Sequence, residues 1–171
     1  MDVEWKAFEL RPGTPPEGIP RPFKPGEINE FTGHMKDQAE AAGLTMRRQP
    51  LTPTTRPALE AAAYAKDSGK FDEYHKAMFR AFWEDGKNIG DLDVVRAVLE
   101  SCGLDWDEFG PAANRPRFTQ QVDIELGESR GYGIRGIPAF ILDRYLLMGA
   151  QPYEVFQQAM EQIQEDRSGE G

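Results

Sequence analysis

The sequence predicts an α/β fold in which strand segments near both ends of the chain enclose a long helical block. Three observations carry this. Residues 2–8 alternate, with Val3, Trp5 and Ala7 on one face and Asp2, Glu4 and Lys6 on the other, the period of a half-buried strand. Phe71, Tyr74, His75, Met78, Phe79, Phe82 and Trp83 recur at i, i+3, i+4 and i+7, the stripe of an amphipathic helix. An apolar run over 137–142, a turn at Asp143-Arg144 and a second run over 145–148 predict two adjoining strands. Strands at both ends with helices between them indicate one α/β sheet that carries an inserted helical subdomain.

The elements follow in order. Residues 10–25 include Pro12, Pro15, Pro16, Pro20, Pro22 and Pro25, a density that forbids regular helix and predicts an extended linker. Ile28, Phe31, Met35 and Ala39 then stand at helical spacing, with Gly43 as the stop. Pro57 opens a second helix through the alanine-rich stretch to Lys66, and the stripe from Phe71 forms a third. Asp91 caps a helix whose apolar positions are Leu92, Val95, Val98, Leu99 and Cys102, ended by Gly103. Pro116 starts a longer helix reaching about Gly131. The final helix begins at Pro152 and is expected to bury Val155, Phe156, Ala159, Met160 and Ile163, with a polar tail fraying from Glu165. The expected partition is a core of 1–26 and 115–166, a helical insertion of 27–114 and a disordered tail of 167–171.

Composition narrows the function. A length of 171 residues, 39% of them hydrophobic, suits one packed domain. A net charge of −9 without clustered Lys or Arg argues against nucleic-acid partners. No apolar run is long enough to cross a membrane, and the start lacks the basic and apolar regions of a signal peptide, so a cytoplasmic location is expected. The single cysteine, Cys102, excludes an internal disulfide framework, and two histidines speak against a zinc site; neither metal nor cofactor is expected. Cys102 shares an apolar stripe with Leu92, Val95 and Leu99 and reads as core filler. His75, inside its own apolar stripe, reads as a packing histidine rather than a base, and His34 as a surface residue. Phe79, Phe82 and Trp83 read as helical core. No carboxylate pair stands out as an acid/base couple, so no catalytic residue is assigned.

The segment Gly133-Ile134-Arg135-Gly136-Ile137-Pro138-Ala139-Phe140-Ile141-Leu142, followed by 145–148 and Gly149-Ala150-Gln151-Pro152, reads as a helix end, a Gly-Ile-Pro corner, two strands and a capped helix. It resembles the C-terminal half of thioredoxin-fold proteins of the DsbA family, in particular the FrnE-like branch. The resemblance implies a thioredoxin-like core and a cis Ile137-Pro138 bond. It also implies a substrate site at Gly136, Ile137 and Pro138, where backbone groups hold a peptide in strand-like fashion. Only about 5–6% of X-Pro bonds are cis, so that expectation rests on the resemblance alone. Residues 3–10 and their proline-rich sequel are similar to the family's second core strand and exit loop. Arg56-Pro57-Ala58-Leu59-Glu60-Ala61-Ala62 and the Phe71 stripe resemble its inserted helices. The turn Asp143-Arg144 departs from the Asp-Gly that a two-residue hairpin prefers.

A larger departure concerns the front of the family pattern, a strand followed by Cys-x-x-Cys on the first turn of a helix whose N-terminus activates the first thiolate. These 171 residues contain no such motif. The thioredoxin-like core is thus N-terminally incomplete: the protein either begins upstream of Met1, the reading we favour, or has discarded its redox centre. The implied function is that of a DsbA-like thiol-disulfide oxidoreductase family protein with protein or peptide thiols as partners, and no disulfide exchange is expected from this chain. One alternative is a glutathione-dependent isomerase or transferase of the 2-hydroxychromene-2-carboxylate isomerase or kappa-class type, against which Gly149-Ala150-Gln151-Pro152 speaks. Another is a non-catalytic peptide-binding module. A core without its central strand implies a homodimer formed by edge pairing or swapping, or else displacement of residues 3–8 from the family position.

Overall fold

The alanine-rich helix α2 (Arg56–Asp67) is the hub of the computed structural model, which describes residues 3–24, 26–27, 29–110 and 115–169. Its small side chains, Ala58, Ala61, Ala63 and Ala65, are buried and let α3 (Phe71–Trp83) and α4 (Leu92–Ser101) pack closely against it. Tyr74 of α3 is buried beside α2 and donates its hydroxyl to the carbonyl of Ala58 at 2.9 Å. Burial pushes its phenol pKa far above the ordinary value, so the hydroxyl stays a donor. Asp91 caps α4 as expected, accepting from the Asp93 N–H at 2.9 Å. A one-turn helix, α5 (Trp106–Phe109), is capped by Asp105 and seats the buried Phe109 against Tyr64 and Phe118, with centroids at 5.7 and 5.9 Å. Phe118, Val122 and Leu126 of α6 (Pro116–Gly131) are buried as well.

The chain packs as two compact units that divide between Leu126 and Gly127. The first holds α1 (His34–Ala41), α2 to α5, most of α6, and a small antiparallel pair, β1 (Ile19–Pro20) with β2 (Leu51–Thr52). The second contains the last turn of α6, the antiparallel hairpin β3 (Ala139–Leu142) and β4 (Tyr145–Met148), and α7 (Tyr153–Gly169).

Several expectations need correction. Residues 3–9 form no strand: no strand lies beside them among the described residues, and side chains hold the segment instead. Trp5 stacks on His75 at 4.6 Å, its carbonyl accepts from Lys66, and the Ala7 N–H donates to Glu125 at 2.5 Å. In place of one sheet, the described residues form two separate two-stranded ones. Within the proline-rich stretch, Ile19 and Pro20 pair with β2, which the proline count concealed. The first helix begins at His34, after Phe31, and only Ala39 of its stripe is buried; Ile28 lies outside the described residues. Phe79 and Leu92, read as core, are exposed, because α3 and α4 each turn a narrower stripe inward than the spacing suggested. The last helix stays helical past Glu165 to Gly169, where fraying was expected; residues 170 and 171 lie outside the described ones. Its apolar stripe is half-buried at Val155, Phe156, Ala159 and Met160 and buried at Ile163.

Candidate functional site

The corner that links α6 to β3 is built from the helix end outward. Gly133 adopts φ 72, the left-handed conformation that lets the chain turn back on its helix without a Cβ clash. The Ile134 N–H then reaches the Ser129 carbonyl at 2.9 Å and the Gly133 N–H the Arg130 carbonyl at 2.9 Å, the two bonds of a Schellman cap. After the bend at 136–138, the Ile137-Pro138 peptide bond is cis and β3 begins at Ala139. Gly136 is half-buried, while Ile137 and Pro138 are exposed.

Register decides which backbone groups the corner offers. Asp143 and Arg144 form a two-residue loop, so Leu142 and Tyr145 are the exchanged pair nearest the turn. Pairing alternates from there, through Phe140, to Pro138, whose carbonyl accepts from the Gly149 N–H at 2.8 Å. Ala139 and Ile141 therefore aim their N–H and C=O groups away from β4, toward an edge along which no strand lies among the described residues. The turn works without glycine because Asp143 itself takes φ 54, which aspartate tolerates, and its carboxylate accepts from Arg167 at 3.1 Å.

The hairpin's two faces differ. On one, Phe140 meets Phe156 of α7 edge-on at 4.9 Å, and the Tyr145 hydroxyl donates to Asp166 at 3.2 Å, with Arg144 paired to the same carboxylate. The other carries Ala139, Ile141, Leu146 and Met148, with the last three 44%, 40% and 40% exposed.

Other sequence candidates lie elsewhere. Cys102 occupies the C-terminal end of α4, half-buried against the helical core, the opposite helix end from the one that activates a thiolate. His75 is half-buried between Trp5 and Phe79, at 4.6 and 4.5 Å; burial lowers its pKa, Asp72 opposes that and Lys76 reinforces it. His34 is on the surface at the start of α1. Among the described residues no cluster of His, Cys, Asp or Glu could hold a metal, and no helix is long and apolar enough to cross a membrane.

Sequence reasoning missed one buried charged cluster. Glu60 accepts from Arg56 Nε at 3.1 Å and Thr119 Oγ1 at 2.9 Å, and Arg115 Nη1 lies 3.6 Å away. Arg56 also binds Asp123 at 2.7 Å and the Thr119 carbonyl, joining α2 to α6. Arg115 is buried over the Phe109 ring at 4.2 Å, and desolvation lowers its pKa. Its only sequence signal was a glutamate on the alanine face of α2. The Glu60 carboxylate is occupied and cross-braces α2 to α6, while Arg115 Nε and Nη1 are buried without a hydrogen-bond partner among the described residues.

A corner with a cis proline at a strand entry, followed by a hairpin and a covering helix, defines a thioredoxin-like module. The model of the DSBA-like thioredoxin domain family matches residues 1–161, and the chain belongs to that family. It is 30% identical over 170 residues to the uncharacterized protein YwbO of Bacillus subtilis, covering 98% of this chain and 84% of that one. Its fold is similar to the crystal structure of a probable DsbA oxidoreductase from Streptomyces coelicolor, with TM-score 0.73 and 24% identity over 92% of this chain and 73% of the other. A second crystal structure, from Nitrosomonas europaea, aligns with TM-score 0.62 and 18% identity over 82% of this chain and 79% of its own.

Proposed function

We propose that this chain carries the peptide-docking corner of a DsbA-like thiol-disulfide oxidoreductase of the FrnE-like branch, and that its 171 residues alone perform no disulfide exchange. The observation that carries the reading is the exposed Ile137-Pro138 corner at the entry of β3, next to a strand edge along which no strand lies among the described residues, in a family member with one cysteine. Gly136, Ile137 and Pro138 are the docking residues, and protein or peptide thiols are the partners. Exchange requires a thiolate to attack one sulfur of a substrate disulfide and expel the other as a thiolate. Cys102, packed at the end of α4, is not placed for that attack. In this reading 1–26 and 115–166 make the core, 27–114 the insertion, the protein works in the cytoplasm, and it self-associates as a homodimer.

The test is a ¹⁵N amide titration with an extended peptide whose cysteine is blocked. Shifts at Ile137, Ala139 and Ile141 are expected. Shifts confined to the helical residues 56–109, or none at millimolar peptide, would overturn the docking assignment.

A further inference from the structure

We infer that Arg135, with Arg130 as a second cation, gives the docking corner a preference for extended peptides that carry acidic residues. The inference rests on the docking reading above and names the charge of the peptide that the corner takes.

The hairpin unit holds four cationic side chains, Arg130, Arg135, Arg144 and Arg167. Arg144 is paired with Asp166 and Arg167 with Asp143, beside the turn at the far end of the hairpin. Arg130 and Arg135 are exposed and have no ion-pair partner among the described residues. Both lie on the run 129–142, which leads from α6 through the corner into β3 and contains no Asp or Glu. The carboxylates on either side of that run, Glu128 and Asp143, are each engaged already.

The two arginines are not equivalent. Arg130 has a use within the fold, because a cation in the last turn of a helix complements its C-terminal dipole. Arg135 has none: it lies outside every helix and strand, beyond the cap bonds made by Gly133 and Ile134. It stands two residues before Ile137, within about 7 Å along the chain. Gly136 lies between them, and a Cβ placed there would meet nothing within 4 Å, so nothing crowds the space beside the corner. A guanidinium in that position suits a carboxylate, to which its planar fork can donate two parallel hydrogen bonds. Ile137, 54% exposed, supplies an apolar contact for an uncharged residue of the same peptide. The net charge of −9 on the whole chain favours a basic peptide instead, so a preference for an acidic one isolates the local arginines.

The test uses the full chain and two peptides with blocked cysteines and the same apolar centre, one flanked by glutamates and one by lysines. Each is titrated at low salt and followed by ¹⁵N amide shifts. The glutamate peptide should bind about two- to fivefold tighter, the range of an exposed ion pair. The difference should close at about 1 M salt, where the Debye length is about 3 Å. Arg135→Glu should reverse the order, with the thermal midpoint checked to confirm folding. Equal binding of both peptides, tighter binding of the lysine peptide, or an unchanged order in Arg135→Glu overturns this assignment; shifts at Ile137, Ala139 and Ile141 would then leave docking standing. No shift at those residues from either peptide overturns both.

Discussion

The helical unit and the hairpin unit solve the problem of burial differently. Through residue 126 the chain closes a core of its own, with Ala61, Ala65, Tyr74, Val95, Leu99, Phe109 and Val122 almost wholly out of water. From Gly127 onward, Ile163 is the one buried hydrophobic side chain among the described residues, while Ile137, Ile141, Leu146, Met148 and Tyr153 are exposed. The difference is not one of composition, since β3 and β4 are as apolar as any helix stripe. A helix can bury its stripe against another helix of the same unit, whereas a sheet face and a sheet edge need separate neighbours. The hairpin unit has one of those neighbours, α7, and presents the other surfaces at the corner that carries the cis proline.

The comparison can be broken most severely inside the helical core. Phe109→Ala removes a ring in contact with Tyr64, Trp106, Phe118 and Arg115. It should cost about 3–5 kcal/mol in denaturant unfolding. By contrast Leu146→Ala, on the hairpin face away from α7, should cost about 1–2 kcal/mol, because the side chain is still 40% exposed. A loss there as large as that of Phe109→Ala would show that this face is covered in solution. Tyr74→Phe removes a hydroxyl bond to the Ala58 carbonyl, which keeps its place in the α2 ladder, and should cost about 0.5–1.5 kcal/mol.

A smaller effect sharpens the picture at residues 3–9. His75 is packed under Trp5 and against Phe79, and burial lowers its pKa below the unfolded value of about 6.5. The unfolded chain therefore binds this proton first as pH falls. The stabilisation is full above the unfolded value, declines below it, and is lost once pH has passed through the lower folded pKa. The thermal midpoint should drop between pH 7.5 and 5.5, and the drop should shrink in His75→Phe. An equal drop in both proteins would place the titrating group elsewhere.

How much was legible follows the same division. The Phe71 stripe, Asp91 cap, Pro116 start and the 139–148 hairpin read directly from spacing and cap chemistry, because each is fixed by neighbours in sequence. The Gly136–Ile137–Pro138 corner was legible through resemblance, since nothing local demands a cis bond. What failed was decided by distant partners. Residues 3–8 have strand periodicity but no strand to pair with, so aromatic stacking and a lysine hold them. Phe79 and Leu92 fit helical stripes, yet the inward face is set by how α2, α3 and α4 meet. The Glu60, Arg56 and Arg115 cluster joins residues 59 positions apart at Thr119, beyond any local pattern.

The central proposal is that the Ile137-Pro138 corner docks peptides while these 171 residues supply no attacking sulfur. Turnover of a disulfide substrate by the purified chain, alongside its Cys102→Ser variant, tests that most directly. Both should run at the background rate, because Cys102 is packed at the C-terminal end of α4. Exchange above background that disappears in Cys102→Ser would contradict the account.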